Sequence, residues 1–326
     1  MKIKITFLTL CAMLFALSFP AEAQQPGKIF RIGFLDTSTA SGSAVLVEAF
    51  RQEIRKLGWT EGKNIVIEYR FAEQKPERLP ELVADLLRLK VDLIVVSGTP
   101  PPLAAKKATT TVPIVMANPA DPVGSGLVAS LARPGGNVTG NSGLASELDT
   151  KRLEILKDVV PKLARVGFLR LLSSTDSQLK EIGPAAVALK LKLEDIKTQA
   201  DAKGLESAFK TVKQKQVGAI ITATSRIFFA ERKRIVDLAV KYRLPAIYSQ
   251  DEFVEAGGLM SYGADFDDLY RRTAVYVDKI LKGAKPADLP VQQATKFEFV
   301  INLKAAKQIG LTIPPEVLAR ANRVIK

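Results

Sequence analysis

The sequence predicts an α/β protein made of two doubly wound parallel-sheet lobes joined by a hinge of several segments. Short, continuously apolar segments alternate with helical patterns from residue 28 onward, which indicates parallel sheets covered by helices on both faces. The alternation then starts again, and each half of about 115 to 120 residues has an ordinary domain length. A final long amphipathic helix and one more strand must return to the lobes already formed.

In the first half, an apolar strand at 30–36 precedes a helix from about 43 to 57 that Gly58 ends. Apolar residues spaced for one buried face predict that helix. The next elements are a strand at 64–71, a helix near 76–89, a strand at 92–98, a short helix near 101–108 and a strand at 113–119.

The second half repeats this alternation of strands and helices from residue 148 onward. It predicts a helix at 148–159, a strand at 165–172, a helix near 176–189, a strand at 191–197, a helix at 203–215, a strand at 218–224, a helix at 227–242, and strands at 245–249 and 257–263. The two halves share their architecture, with little sequence identity between them.

The tail contains a helix at about 265–282, the strand "KFEFVIN" and a helix beginning at Leu303. If the long helix packs on the first lobe and the last strand joins the second, the chain crosses between lobes three times. We therefore expect one lobe from 28–142 and about 265–292, and another from 143–264 and about 293–326. A hinge of this kind suits closure around a ligand in the cleft between the lobes.

The N-terminus predicts a secretory signal peptide over residues 1–23. Two lysines precede the apolar run from Ile5 to Phe19, and Ala21-Glu22-Ala23 supplies a cleavage site near Ala23–Gln24. A run of about 15 residues falls short of the roughly 20 that cross a bilayer, which disfavours a membrane anchor. We expect the mature protein in the periplasm.

Composition narrows the function. The chain has no histidine, and its one cysteine, Cys11, lies in the predicted signal peptide. Ser-His and Cys-His catalysis and the common zinc sites are therefore excluded, and we expect neither cofactor nor metal. The net charge of +13 is spread along helical faces without interleaved aromatic residues, so we expect no nucleic-acid partner.

Gly124, Gly126 and Ala129 spell G-x-G-x-x-A, the pattern of a dinucleotide-binding turn. That turn should follow the first strand, whereas this one follows the fourth. The residues 133–136 should end its helix after about two turns, and no acidic residue lies at the end of a following strand to hold a ribose. The glycines are better explained as tight turns beside the cleft.

Ligands of open parallel sheets bind beyond the carboxyl ends of the strands, which gives a candidate site. In the first lobe these positions are Asp36, Thr37, Ser38, Ser97, Gly98, Thr99, Asn118 and Asp121. In the second lobe they are Ser173, Ser174, Thr224, Ser225, Tyr248, Gln250, Asp251 and Tyr262.

Most of these residues have two interpretations. The amides of 97–99 could bind a carboxylate at a helix N-terminus, or Thr99 could simply cap that helix. Asp121 and Asp251 could hold an ammonium group, or start a turn and cap a helix.

The aromatic residues leave the same choice open. Tyr248 and Tyr262 could stack on an apolar solute or belong to the core. Phe228 and Phe229 could close over the cleft, although helix packing explains at least one of them.

The segment "NPADPVGSGLVASLARPGGNVTG" resembles the signature of ABC transporter substrate-binding proteins of the TrpX-like group. The stretches "RQEIRKLGWTEGKNIVIEYRFAE", "LPAIYSQDEFVEAGGLMSYGAD" and "FEFVINLKAAKQIGLTIP" resemble it too. The resemblance implies a type I periplasmic-binding fold and a monomeric receptor. Such a receptor delivers a small organic solute, often an amino acid or aromatic compound, to an ABC permease, and meets the membrane only through that permease.

Two other functions use the same features. An exported sensor subunit would pass ligand occupancy to a membrane receptor, and the sequence does not separate this output from transport. A secreted enzyme could use carboxylates as acid and base, but no close pair follows matching strand ends. We therefore expect a binding protein and no enzyme.

Overall fold

The computed structural model describes residues 28–174 and 176–326, which form two sheets covered by helices. The predicted signal peptide and its cleavage site lie outside the described residues. Among those described, no helix combines the length and the apolar composition that a membrane crossing requires. The predicted fold class, two doubly wound α/β lobes, is confirmed.

The first sheet has six parallel strands in the order β11-β5-β4-β3-β1-β2. Their bounds are Phe30–Asp36 (β1), Ile65–Phe71 (β2), Leu93–Val96 (β3), Ile114–Met116 (β4), Val138–Ser142 (β5) and Gln292–Gln293 (β11). Phe34 in β1 is fully buried and lies opposite Tyr69 and Val95. We call this sheet with its helices the first lobe.

The second sheet has seven strands in the order β13-β12-β10-β9-β8-β6-β7. Their bounds are Arg165–Leu171 (β6), Lys192–Thr198 (β7), Ala219–Thr222 (β8), Ala246–Tyr248 (β9), Met260–Ala264 (β10), Phe297–Asn302 (β12) and Arg323–Ile325 (β13). β12 runs antiparallel to β10, and the other pairs are parallel. We call this sheet with its helices the second lobe.

Twelve α-helices occur in the described residues. They are Ala40–Lys56 (α1), Leu79–Arg88 (α2), Pro100–Ala108 (α3), Ala145–Val159 (α4), Ser177–Ala188 (α5), Ala202–Gln214 (α6), Arg226–Ala230 (α7), Arg232–Lys241 (α8), Glu252–Glu255 (α9), Phe266–Leu281 (α10), Leu303–Ile309 (α11) and Pro315–Leu318 (α12). Short 3₁₀ turns occupy Pro76–Arg78 and Pro286–Asp288.

The chain passes between the lobes three times, after β5, after β10 and after β11. The long helix α10 packs along α1 of the first lobe. Trp59, just beyond α1, donates from Nε1 to Asp278 at 2.9 Å and fixes the far end of α10. The expected hinge of several segments is therefore present, since α10 returns to the first lobe and β12 to the second.

Several elements differ from the sequence-based expectation. The predicted helix at 227–242 is two helices that meet at Glu231, and residues 121–136 form turns without a helix. β5, β11 and β13 were not predicted. β5 reads "VTGNS" and is buried without an apolar pattern, since two of its polar side chains donate hydrogen bonds to backbone carbonyls. Thr139 donates to the Leu289 carbonyl at 2.6 Å, and Asn141 donates to the Leu269 carbonyl at 3.1 Å.

Candidate functional site

The two lobes meet at the carboxyl ends of their central strands. Asp36 ends β1 in the first lobe, and Arg226 follows β8 in the second. The Nε atom of Arg226 lies 3.3 Å from Oδ2 of Asp36. Strand ends that are 190 residues apart in sequence therefore touch across the cleft.

Ser43 on α1 completes this contact. Its hydroxyl donates to Oδ2 of Asp36 at 2.8 Å and accepts from Nη2 of Arg226 at 3.1 Å. Asp36 also accepts from the Ser38 amide at 2.8 Å. Asp36 and Ser43 are fully buried and Arg226 is 6% exposed, so the pair is shielded from water. We call Asp36, Ser43 and Arg226 the interlobe cluster.

The rest of the Arg226 side chain is also held in place. Its guanidinium lies 4.6 Å from the ring centroid of Phe229, within cation–π range. A Cβ at Gly98 would lie 3.3 Å from Cγ of Arg226, and Gly98 has a φ of +74°. A side chain there would be strained and would crowd the arginine. The Nη1 atom is buried without a hydrogen-bond partner among the described residues, so it can still donate.

Beside the interlobe cluster, the ends of β3 and β4 are tied to helix α10. The Ser97 hydroxyl lies 2.5 Å from the hydroxyl of Tyr270, and Asn118 Oδ1 accepts from the Gly98 amide at 2.9 Å. Burial raises the pKa of Tyr270 to about 12, so its hydroxyl keeps its proton near neutral pH. Helix α10 is thereby connected to the carboxyl ends of β3 and β4 in the first lobe.

We call a separate cavity of about 280 Å³ the hinge cavity. Val45 of α1, the loop after β9 and the start of α10 line it, so it lies between the lobes at the hinge. Six carboxylates and one guanidinium carry its charge: Asp251, Glu252, Glu255, Asp265, Asp267, Glu298 and Arg271.

Burial and repulsion from neighbouring acids raise the pKa of Glu252 and Asp267 in this cavity. Burial, and then the neighbouring Asp251, raise the pKa of Glu252 to about 8. Burial also raises the pKa of Asp267, although Arg271 opposes the shift. Burial opposes the charge of Arg226, but Tyr270, Asp36 and Glu252 outweigh it and its pKa is raised. Glu252 thus acts electrostatically on both the hinge cavity and the interlobe cluster.

Several buried polar atoms around this region have no hydrogen-bond partner among the described residues. Buried polar groups in native proteins are almost always paired, so such a group indicates a place where a polar ligand can bind. These atoms are Thr37 Oγ1, Thr222 Oγ1, Thr224 Oγ1, Arg226 Nη1, Gln250 Nε2, Glu252 Oε2 and Asp267 Oδ1.

The structure brings part of the predicted site together. Asp36, Ser97, Gly98 and Asn118 lie at or beside the interlobe cluster. Thr37 and Thr224 follow β1 and β8 with unpaired hydroxyls. Ser225 caps α7, accepting from the amides of 227 and 228 at 3.2 and 3.4 Å, and so orients Arg226.

Other predicted residues have local partners. Thr99 does not cap α3 through its side chain but accepts from the Ala120 amide at 3.2 Å. Asp121 accepts from the Gly124 amide at 2.8 Å and so shapes a turn. Asp251 does not cap α9 through its side chain either, and pairs with Arg323 at 2.6 Å. Ser173 is exposed and Ser174 half-buried in the loop after β6.

The predicted aromatic residues pack within the second lobe. Tyr248 is fully buried and stacks on Phe253, with ring centroids 4.8 Å apart. Tyr262 meets Phe299 edge-on at 6.3 Å. Phe228 is buried, and Phe229 packs between Arg226 and Arg232. Contact of any of these with a solute stays a prediction.

Sequence reasoning missed Arg226, Ser43, Tyr270, Glu252 and Asp267. Arg226 and Glu252 each come a few residues after a strand, so the rule of strand ends could have included them. Ser43, Asp267 and Tyr270 lie in helices whose periodicity does not distinguish a face on the cleft from one on the core. Within residues 28–174 and 176–326, no three acidic, histidine or cysteine side chains converge as a metal site requires.

Comparison with known proteins gives consistent results. Residues 40–325 match the family model described as "ABC transporter substrate binding protein". A tyrosine-binding protein of Clostridioides difficile strain R20291 is 27% identical over 265 residues, which cover 81% of this chain and 76% of that protein.

Two solved structures share the fold closely. An ABC domain from Streptococcus pneumonia, crystallised in complex with L-Trp, is 28% identical with a TM-score of 0.83, and the match covers 91% of this chain and 99% of the other. A conserved domain protein from Vibrio cholerae O1 biovar El Tor is 27% identical with a TM-score of 0.85, over 91% and 100% of the two chains.

Proposed function

Because the chain belongs to the ABC transporter substrate binding protein family, we propose that it captures an α-amino acid, aromatic rather than aliphatic, between its two lobes and delivers it to a membrane permease. The observation that carries the proposal is the interlobe cluster, where a buried arginine joins both lobes and keeps one donor free. The tryptophan complex and the tyrosine-binding relative support the choice of solute class.

Capture follows from the geometry of the cleft. When the lobes separate, Arg226 and Asp36 meet water and the cleft admits a solute. On closure they pair again, and the excluded water strengthens each polar contact to the solute. The three hinge segments limit the motion to opening and closing. The solute stays chemically unchanged throughout.

The proposal also includes the untested sequence predictions. It takes 28–142 with 265–292 and 143–264 with 293–326 as the two lobes, and places a monomeric mature protein in the periplasm after cleavage near Ala23–Gln24. The strand-end residues predicted above, Asp36, Thr37, Thr224 and Ser225 among them, supply contacts to the solute.

A thermal-shift screen of the chain from Gln24 to Lys326 tests this. The panel contains L-tryptophan, L-tyrosine, L-phenylalanine, aliphatic amino acids, benzoate, sugars and nucleosides. A true ligand at a hundred times its Kd adds about 2.7 kcal/mol to the free energy of unfolding. We expect the aromatic amino acids to give the largest shift, with the compound recovered intact by mass spectrometry. A shift confined to sugars or nucleosides, or a chemically altered compound, would contradict the proposal.

A further inference from the structure

We propose that the hinge cavity is the subsite for the ammonium group of the solute, with Glu252 as the carboxylate that receives it. This inference rests on the proposed function, because it concerns the orientation of an α-amino acid within the cleft.

The charge distribution is the first argument. The chain as a whole carries a net charge of +13, yet six carboxylates and a single guanidinium line this one cavity. Low-dielectric walls concentrate such a field and attract a cation. Arg323 neutralises Asp251 and Glu255 at 2.6 and 3.1 Å, and Arg271 pairs with Asp267 at 3.1 Å. Among the described residues no ion pair forms at Glu252.

Unpaired polar atoms on residues that line the cavity are the second argument. Gln250 is 3% exposed, lines the cavity, and its Nε2 has no hydrogen-bond partner among the described residues. Oε2 of Glu252 and Oδ1 of Asp267 are also buried without a hydrogen-bond partner among the described residues. The cavity therefore offers one amide donor beside carboxylate acceptors. An α-amino acid presents the matching set, because its ammonium and carboxylate share one carbon atom.

The position of Glu252 relative to Arg226 is the third argument. The two residues act on each other electrostatically, and both act on Tyr270. Nη1 of Arg226 has no hydrogen-bond partner among the described residues and can still donate. A zwitterion with its carboxylate toward Arg226 and its ammonium toward Glu252 would match the sign of charge at both ends.

The titration of Glu252 gives a further readout. Asp251 and Asp267 face it with negative charge and Arg226 with positive charge, while Tyr270 is neutral. With its pKa raised to about 8, Glu252 is mostly protonated at pH 7 when no cation is near. An ammonium group favours the ionised form, so binding releases a proton. Affinity for an amino acid should then rise between pH 6 and pH 8, and level off once Glu252 is ionised in the free protein.

Calorimetry with three matched probes tests the assignment. L-tryptophan carries both head groups, tryptamine lacks the carboxylate and indole-3-propionate lacks the ammonium. The variant is Glu252→Gln, and the matched control is Glu316→Gln, which alters an exposed acid on α12, outside the hinge cavity. We expect Glu252→Gln to weaken tryptophan binding roughly ten- to a hundredfold and to abolish proton release. Indole-3-propionate should bind both proteins alike, and Glu316→Gln should stay within about twofold of the parent.

Each other outcome has its own meaning. If Glu252→Gln weakens indole-3-propionate as much as tryptophan, the residue is structural and the assignment is wrong. If tryptophan binds both proteins equally, the ammonium lies elsewhere, while the proposed function stands. If the parent protein binds none of the amino acids in the wider panel, the proposed function fails. A stabilisation by CaCl₂ that depends on Glu252, without any effect of the indole probes, would assign the cavity to an inorganic cation instead.

Discussion

Two aspartate–arginine pairs in which both side chains are buried occur among the described residues, one within a lobe and one between the lobes. Asp149 and Arg152 are three residues apart on helix α4 of the second lobe. Asp36 and Arg226 join the first lobe to the second. Arg152 is 1% exposed and Arg226 is 6% exposed, so burial alone does not distinguish the two pairs.

Their hydrogen bonds do distinguish them. Asp149 also accepts from Gln178 Nε2 at 2.8 Å, and Nε of Arg152 donates to the Tyr262 carbonyl at 2.6 Å. The pair therefore connects α4 to β10, the strand that leads into the hinge. Arg226, by contrast, keeps Nη1 unpaired among the described residues. The first pair cannot separate without unfolding its lobe, whereas the second separates when the hinge opens.

This difference changes what a substitution costs. Removing one partner of a buried pair leaves a charge without compensation, which is strongly destabilising when the charge cannot reach water. The carboxylate of Asp149 cannot reach water inside the second lobe. The carboxylate of Asp36 can reach water once the lobes separate. The two pairs are similarly buried, but substitutions in them should lower the free energy of unfolding by different amounts. A substitution in the second pair should change the affinity for the solute more clearly than it changes the free energy of unfolding.

The largest effect is expected for Arg152→Met. The substitution keeps most of the apolar volume and strands the carboxylate of Asp149. We expect the free energy of unfolding to fall by about 3–5 kcal/mol, measured by urea denaturation. Arg320→Met is the control, because Arg320 pairs with Asp158 on the surface at 2.8 Å and should cost no more than about 1 kcal/mol. Similar losses for the two variants would remove the basis of the comparison.

The second effect concerns Arg226→Met. The stranded Asp36 can be hydrated by hinge opening, so the free energy of unfolding should fall by only about 1 kcal/mol, well below the loss in Arg152→Met. The affinity for the solute should fall roughly ten- to a hundredfold, because a charge-assisted donor is lost and the closed form is less favoured. Small-angle scattering should show a larger radius of gyration. Unfolding losses as large as those of Arg152→Met, with unchanged scattering, would mean that the pair is architectural.

The sequence predicted the fold better than the contacts between the lobes. Apolar periodicity located β1 and the first helix within a few residues, because both bury a continuous apolar face. The same rule missed β5, whose buried Thr139 and Asn141 donate hydrogen bonds to carbonyls of the segment 269–289. Those partners lie more than a hundred residues away, and local patterns carry no information about them.

The candidate site shows the same limit. The rule of strand ends found Asp36, Ser97 and Asn118, since topology alone places them at one edge of the sheet. It did not find Arg226 as the partner of Asp36, because that contact depends on how two separate lobes approach. The strand-end tyrosines Tyr248 and Tyr262 satisfied the rule equally well, yet their rings pack against Phe253 and Phe299.

The smallest effect we predict concerns a second contact between the lobes. Gln74 Nε2 in the first lobe donates to Glu231 Oε1 in the second at 3.0 Å, and both side chains are half-buried. Gln74→Ala should weaken solute binding about two- to tenfold by calorimetry, because the closed form loses one hydrogen bond to a charged group. Gln52→Ala is the control, since Gln52 donates to Glu48 at 3.2 Å within helix α1, and closure does not alter that contact. If both variants bind as the parent does, closure depends on the interlobe cluster and not on the wider surface between the lobes.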